Sequence, residues 1–129
     1  MTSDVLPASA IRFNVPAADW REAVRAAGDS LVTAGTTTDE YTDQMIEAIE
    51  NLGPYIVVAP GFALAHARPS EAVLRTGLSW ISLAEPVEFG SELNDPVTLV
   101  VGLAALDHDS HLEVMSKLAR VLTNPDMLA

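Results

Sequence analysis

The chain has 129 residues, 49% of them apolar, which suits one compact domain around one core. A formal net charge of −11, with no Lys/Arg cluster to interrupt it, opposes binding to nucleic acid or to an anionic membrane surface and favours encounter with basic proteins. Cysteine is absent, which excludes disulfides, thiolate metal sites and thiol nucleophiles.

Residues 1–11 carry Asp4 and Pro7 and lack both a basic start and an apolar block, so they do not read as a secretory signal, and the expected location is the cytoplasm. The spacing predicts a first amphipathic helix over residues 19–34. Asp19 and Glu22 form a capping box, Trp20, Val24, Ala27 and Leu31 share one face, and Gly35 ends it. A second helix is expected from Thr38, with Tyr41, Met45, Ala48, Ile49 and Leu52 inward, until Gly53 and Pro54 stop it. Residues 55–58, Tyr-Ile-Val-Val, are too short and too β-branched for a helix and read as a buried strand closed by Pro60-Gly61. Further strands are expected over 77–83 and 87–89. Residues 97–105 are apolar at nearly every position, as in a central strand covered on both faces. The longest apolar run, 97–106, is about ten residues against the roughly twenty that a membrane helix needs. A last helix opens at Ser110, capped with Glu113, puts Leu112, Met115, Leu118, Ala119 and Leu122 on one stripe, and ends at Asn124-Pro125. Helices, then strands, then a helix give an α/β or α+β class.

Candidate chemistry rests on three histidines. His66 lies in a segment pinned by Pro60 and Pro69, which can hold an imidazole at a sheet edge. On spacing alone it is an ordinary surface or hydrogen-bonded histidine; as a neutral imidazole it is also a competent nucleophile toward phosphorus. Arg68, two positions on, shares a face with His66 in an extended segment and could neutralise phosphoryl oxygens. His111 follows the Ser110 cap, where free N–H groups favour an anion unless the capping box already satisfies them. Asp107, His108, Asp109 and His111 invite a metal-hydrolase reading, but their spacing matches no strong zinc signature, so no metal is assigned and His108 is left without a role. No phosphate-binding glycine loop, dinucleotide fingerprint or serine elbow is present, and no cofactor is expected.

The run Gly53-Pro54-Tyr55-Ile56-Val57-Val58-Ala59-Pro60-Gly61-Phe62-Ala63-Leu64-Ala65-His66-Ala67-Arg68-Pro69 resembles the active-site segment of the mannitol/fructose-type phosphotransferase EIIA family, with the ascorbate-type branch the nearest. The likeness continues through Glu88-Phe89, Asn94-Asp95-Pro96-Val97, Ala104-Ala105 and Ser110-His111-Leu112-Glu113. The resemblance implies a mixed β-sheet sandwiched between helices in three α/β/α layers. It implies that His66 is phosphorylated by the carrier HPr and passes the group to the EIIB component of a permease whose membrane part is EIIC, with His111 as the supporting histidine. A regulatory module that reports phosphorylation state by binding is the alternative role within the same family.

Three departures stand out. Many members have proline before the active histidine, where this chain has Ala65; the mannitol branch has an upstream arginine, where this chain reads Glu47-Ala48-Ile49-Glu50-Asn51, and Arg68 is the substitute. The chain stops soon after Pro125, where members continue into another helix. It therefore reads as one domain over 1–129 that is either truncated or cut from a longer protein, with apolar surface that could promote a homodimer. The expected partner surface around His66 is an apolar patch of Phe62, Ala63, Leu64 and Ala65 with a carboxylate rim.

Overall fold

The computed structural model describes residues 8–107, 109, 112, 113, 115 and 116. A short 3-10 turn leads into strand β1 (Ile11–Val15), followed by helices α1 (Trp20–Thr33) and α2 (Asp39–Leu52). Strands β2 (Val57–Ala59), β3 (Phe62–His66), β4 (Gly77–Val87) and β5 (Val97–Ala104) complete the order. The five strands form one mixed sheet in the order β1-β4-β5-β3-β2, with β1 parallel to β4, β5 parallel to β3, and the β4–β5 and β2–β3 pairs antiparallel. The architecture is the expected α/β class.

Helix α1 starts where the capping box requires: the Asp19 carboxylate accepts the Glu22 N–H at 3.0 Å, and Val24, Ala27 and Leu31 are fully buried. Helix α2 buries Tyr41, Met45 and Ile49. It leaves Leu52 72% exposed, against expectation, because Gly53 caps the helix there through its N–H to the Ile49 carbonyl. Two cross-helix pairs tie α1 to α2, Arg21 to Glu50 at 2.8 Å and Arg25 to Asp43 at 3.6 Å.

The predicted central strand is β5, flanked by β4 and β3. Its residues alternate between two apolar clusters. Val100 and Ala104 belong to the cluster under α1 and α2, while Val101 and Leu103 join Leu64 and Leu78 on the other side, where the helical residue Met115 packs. Gly102 lets the helix approach closely, since a Cβ there would sit 2.4 Å from Ser79 Oγ and 3.3 Å from Ala27 Cβ.

The strand expected over 77–83 runs on to Val87 as β4, and its pairing with β5 slips between Ser82 and Val87, around Pro86; of the strand expected over 87–89 only Val87 belongs to the sheet. Neither β1 nor β3 was read as a strand, and both belong to the sheet. Pro60-Gly61 makes the β2–β3 turn with Gly61 at φ 75°, and the Asn94 carbonyl accepts the Gly61 N–H at 2.9 Å. The loop carrying Asn94 is held in turn by the Asp95 carboxylate, which accepts N–H bonds from Phe89, Gly90 and Ser91 at 2.7–3.0 Å.

Candidate functional site

His66 is the last residue of β3 and pairs in register with Leu103 of β5. It is not at the edge of the sheet, because β2 lies outside β3, but β2 is only three residues long and leaves the C-terminal end of β3 uncovered. Leu64 donates its N–H outward to the Ile56 carbonyl at 2.8 Å, and the Leu64 carbonyl contacts His66 Nδ1 at 2.7 Å. A carbonyl only accepts, so Nδ1 carries a proton. The local strand therefore selects the Nδ1–H form of the ring.

Two tyrosines surround this histidine. The Tyr55 ring meets the imidazole edge-on at 5.3 Å between centroids, and its hydroxyl donates to the His66 carbonyl at 3.1 Å. Tyr41 rises from α2 with no exposed surface, and its hydroxyl accepts the Ala67 N–H at 3.0 Å and donates to the Leu103 carbonyl at 2.6 Å, with the Ala67 carbonyl second at 3.2 Å. Burial pushes the Tyr41 pKa up to about 12 and raises that of Tyr55 as well. Tyr41 was legible only as an inward position on α2, and nothing in its spacing signals the hydroxyl.

An open groove of about 880 Å³ runs between α2 and the end of β3, lined among others by Gln44, Glu47, Asn51, Tyr55, His66 and Arg68. Arg68 is exposed and forms no ion pair among the described residues, and it shares this groove with His66 as its spacing predicts. His66 is half-buried and opens onto the groove. His108, Ser110 and His111 lie outside the described residues, as do residues 117–129, which include the rest of the last predicted helix to its end at Asn124-Pro125, so the supporting role of His111 and the Ser110 cap rest on the sequence.

The expected apolar partner patch is corrected. Ala63, Leu64 and Ala65 are buried and Phe62 packs on the core, because β3 is an inner strand rather than a surface segment. The exposed apolar groups beside the groove are Leu52 and Tyr55. Among the described residues no helix is long and apolar enough to cross a membrane.

Residues 4–129 match the family described as phosphoenolpyruvate-dependent sugar phosphotransferase system, EIIA 2. The ascorbate-specific EIIA component of Salmonella typhimurium is 42% identical over 106 residues, 82% of this chain and 69% of that protein. The mannitol-specific cryptic enzyme IIA of Escherichia coli superposes with a TM-score of 0.85 at 35% identity, over 97% of this chain and 84% of that one. The mannitol enzyme IIA of Escherichia coli, solved in complex with phosphorylated enzyme IIB, matches with a TM-score of 0.77 at 32% identity, over 91% and 81% of the two chains.

Proposed function

This chain belongs to the EIIA 2 family of the phosphoenolpyruvate-dependent sugar phosphotransferase system, and we propose that within it His66 is the residue that carries the phosphoryl group. The observation that supports this most directly is the contact of His66 Nδ1 with the Leu64 carbonyl, which leaves Nε2 as the attacking nitrogen at the mouth of the groove. The donor is phosphorylated HPr and the acceptor an EIIB component, with EIIC as the membrane part. The ascorbate-specific relatives favour an ascorbate permease. The carrier works in the cytoplasm, where those donors are found.

In the transfer step the bond between phosphorus and the donor's ring nitrogen breaks, and its electron pair returns to that nitrogen as a P–Nε2 bond forms on His66. The His66 ring gains positive charge, and its Nδ1–H remains on the Leu64 carbonyl oxygen, whose partial negative charge opposes the cost. Three charged equatorial oxygens need donors, and Arg68 and His111 are assigned to them. Passing the group on to EIIB reverses the sequence, and His66 returns to its neutral tautomer.

The test is mass spectrometry under mildly alkaline conditions after incubation with Enzyme I, HPr and phosphoenolpyruvate. One phosphoryl adduct is expected on the wild type, none on His66→Ala, and slower labelling, by about tenfold to a hundredfold, on Arg68→Ala and His111→Ala. Labelling that survives in His66→Ala overturns the assignment. An adduct that forms and never moves to an ascorbate-type EIIB replaces the carrier with a regulatory module.

A further inference from the structure

The two tyrosines beside His66 act on one and the same peptide unit. Tyr55 donates to the carbonyl of the His66–Ala67 peptide at 3.1 Å, and Tyr41 accepts from its N–H at 3.0 Å. A peptide is planar, so holding both of its polar ends leaves it no rotation about the chain axis. The gripped unit is the one that joins His66 to the loop carrying Arg68. Tyr41 does more: its hydroxyl stands between the Ala67 N–H and the Leu103 carbonyl, and Leu103 is the register partner of His66. The β3–β5 ladder ends there, and the hydroxyl bridges the gap, tying the first residue after β3 back to the central strand.

We propose that Tyr41 and Tyr55 form a clamp on the His66–Ala67 peptide that sets the position of the imidazole, and that both are positioning residues for phosphoryl transfer. This rests on the reading of His66 as the phosphoryl acceptor. The clamp works through the backbone. With the peptide fixed on both sides, the His66 backbone cannot twist, and the short Nδ1–H bond to Leu64 holds the ring where its Nε2 meets the incoming phosphorus. In-line transfer tolerates little misplacement, since an error of about 1 Å costs on the order of a hundredfold in rate. The Tyr55 ring adds a wall against the imidazole, which fixes the ring plane as the hydroxyl fixes the chain.

The clamp separates from ordinary packing because phenylalanine keeps the rings and removes only the hydroxyls. Tyr41→Phe, Tyr55→Phe, the double variant and Ser79→Ala are compared with the wild type. Ser79 loses a bond as buried as that of Tyr41 to Leu103, to the Ala27 carbonyl at 2.8 Å, on β4, which β5 separates from β3, and serves as the control for lost stability. Two readouts are taken: the His66 tautomer from 15N chemical shifts of the ring, and kcat and KM for labelling by phosphorylated HPr.

The expected result is a mixed tautomer in both tyrosine variants, with kcat lowered about tenfold to a hundredfold and KM within about twofold of wild type. Because both hydroxyls hold one unit, the double variant loses less than the product of the single losses. Ser79→Ala keeps the wild-type tautomer and kcat. A wild-type tautomer and kcat in folded Tyr41→Phe and Tyr55→Phe overturn the clamp, and so do losses that multiply in the double variant. A wild type that takes no phosphoryl group sinks the carrier reading alone, and the tautomer shifts then decide the clamp by themselves.

Discussion

Tyr41 places a phenol where no water reaches it, and its neutral form is the one the site accommodates: one proton given to the Leu103 carbonyl, one lone pair taken up by the Ala67 N–H. Burial opposes ionisation and outweighs the Ala67 N–H, which favours the phenolate, so the pKa is pushed up from 10 to about 12. A folded-state pKa raised above the unfolded one means that the folded protein holds its proton longer. The associated stability is therefore present in full below about pH 10 and is lost as the pH climbs toward about 12. The loss is on the order of 2–3 kcal/mol at about 1.4 kcal/mol per unit. Urea unfolding across that window is expected to show the decline in the wild type and a shallower one in Tyr41→Phe, and equal slopes would remove Tyr41 as its source. The same residue illustrates what the sequence conceals. An inward tyrosine on an amphipathic stripe looks like any core aromatic, since periodicity reports which face is buried and is silent on which backbone atoms lie under a hydroxyl. That His66 and Arg68 face one groove was legible from their spacing in a proline-bracketed segment; the Leu64 carbonyl that selects the tautomer was not.

At the scale of elements, the first two helices were read well and the strands in part. Asp19 to Glu22 is a local signal with a local cause, and it appears in the structure at the predicted place. Replacing Asp19 with alanine is expected to cost about 1 kcal/mol, read as a lower denaturant midpoint with an unchanged slope. Strand β3, by contrast, is Phe-Ala-Leu-Ala-His, a composition with little strand preference of its own. It is extended because β5 lies beside it over five residues, a non-local cause that no window of the sequence contains. Strand β1 is an edge strand with three exposed residues in a row and Asn14 at φ 57°, which breaks the alternation that would have revealed it. Strand β4 runs on through Ala84-Glu85-Pro86, beyond the end expected at residue 83, and its pairing slips there because proline has no N–H to give the ladder. The tightest fit in the sheet is at Gly102, where α1 presses on β5. Gly102→Ala has to displace Ser79 Oγ, which is itself held by the Ala27 carbonyl, so a destabilisation of about 1–3 kcal/mol is expected in urea or thermal unfolding. A variant as stable as wild type would mean that Ser79 turns aside without cost.

For the whole molecule the governing quantity is its charge, −11, and the way the fold distributes it. Helix α2 presents Asp39, Glu40, Asp43, Glu47 and Glu50 to solvent; Asp43 and Glu50 are engaged by arginines of α1, and Glu47 lines the groove that His66 opens onto. The groove therefore has negative potential along one wall, and the surface that would complement it on the proposed donor is basic. Such complementarity acts mainly on the encounter rate, and screening shortens its reach from about 10 Å at 0.1 M salt to about 3 Å at 1 M. The second-order rate of labelling by phosphorylated HPr is accordingly expected to fall about tenfold between low and molar salt, with kcat nearly constant, because the chemical step takes place after contact. Glu47→Lys is expected to reproduce part of that loss at low salt and to flatten the remaining salt dependence. Glu85→Lys makes the same charge change at the other end of β4 from Leu78, the register partner of Leu103, and is expected to do much less. Equal effects of the two substitutions would show that net charge alone steers the donor. A rate indifferent to salt would mean that the apolar groups beside the groove, Leu52 and Tyr55, govern recognition without help from the carboxylates.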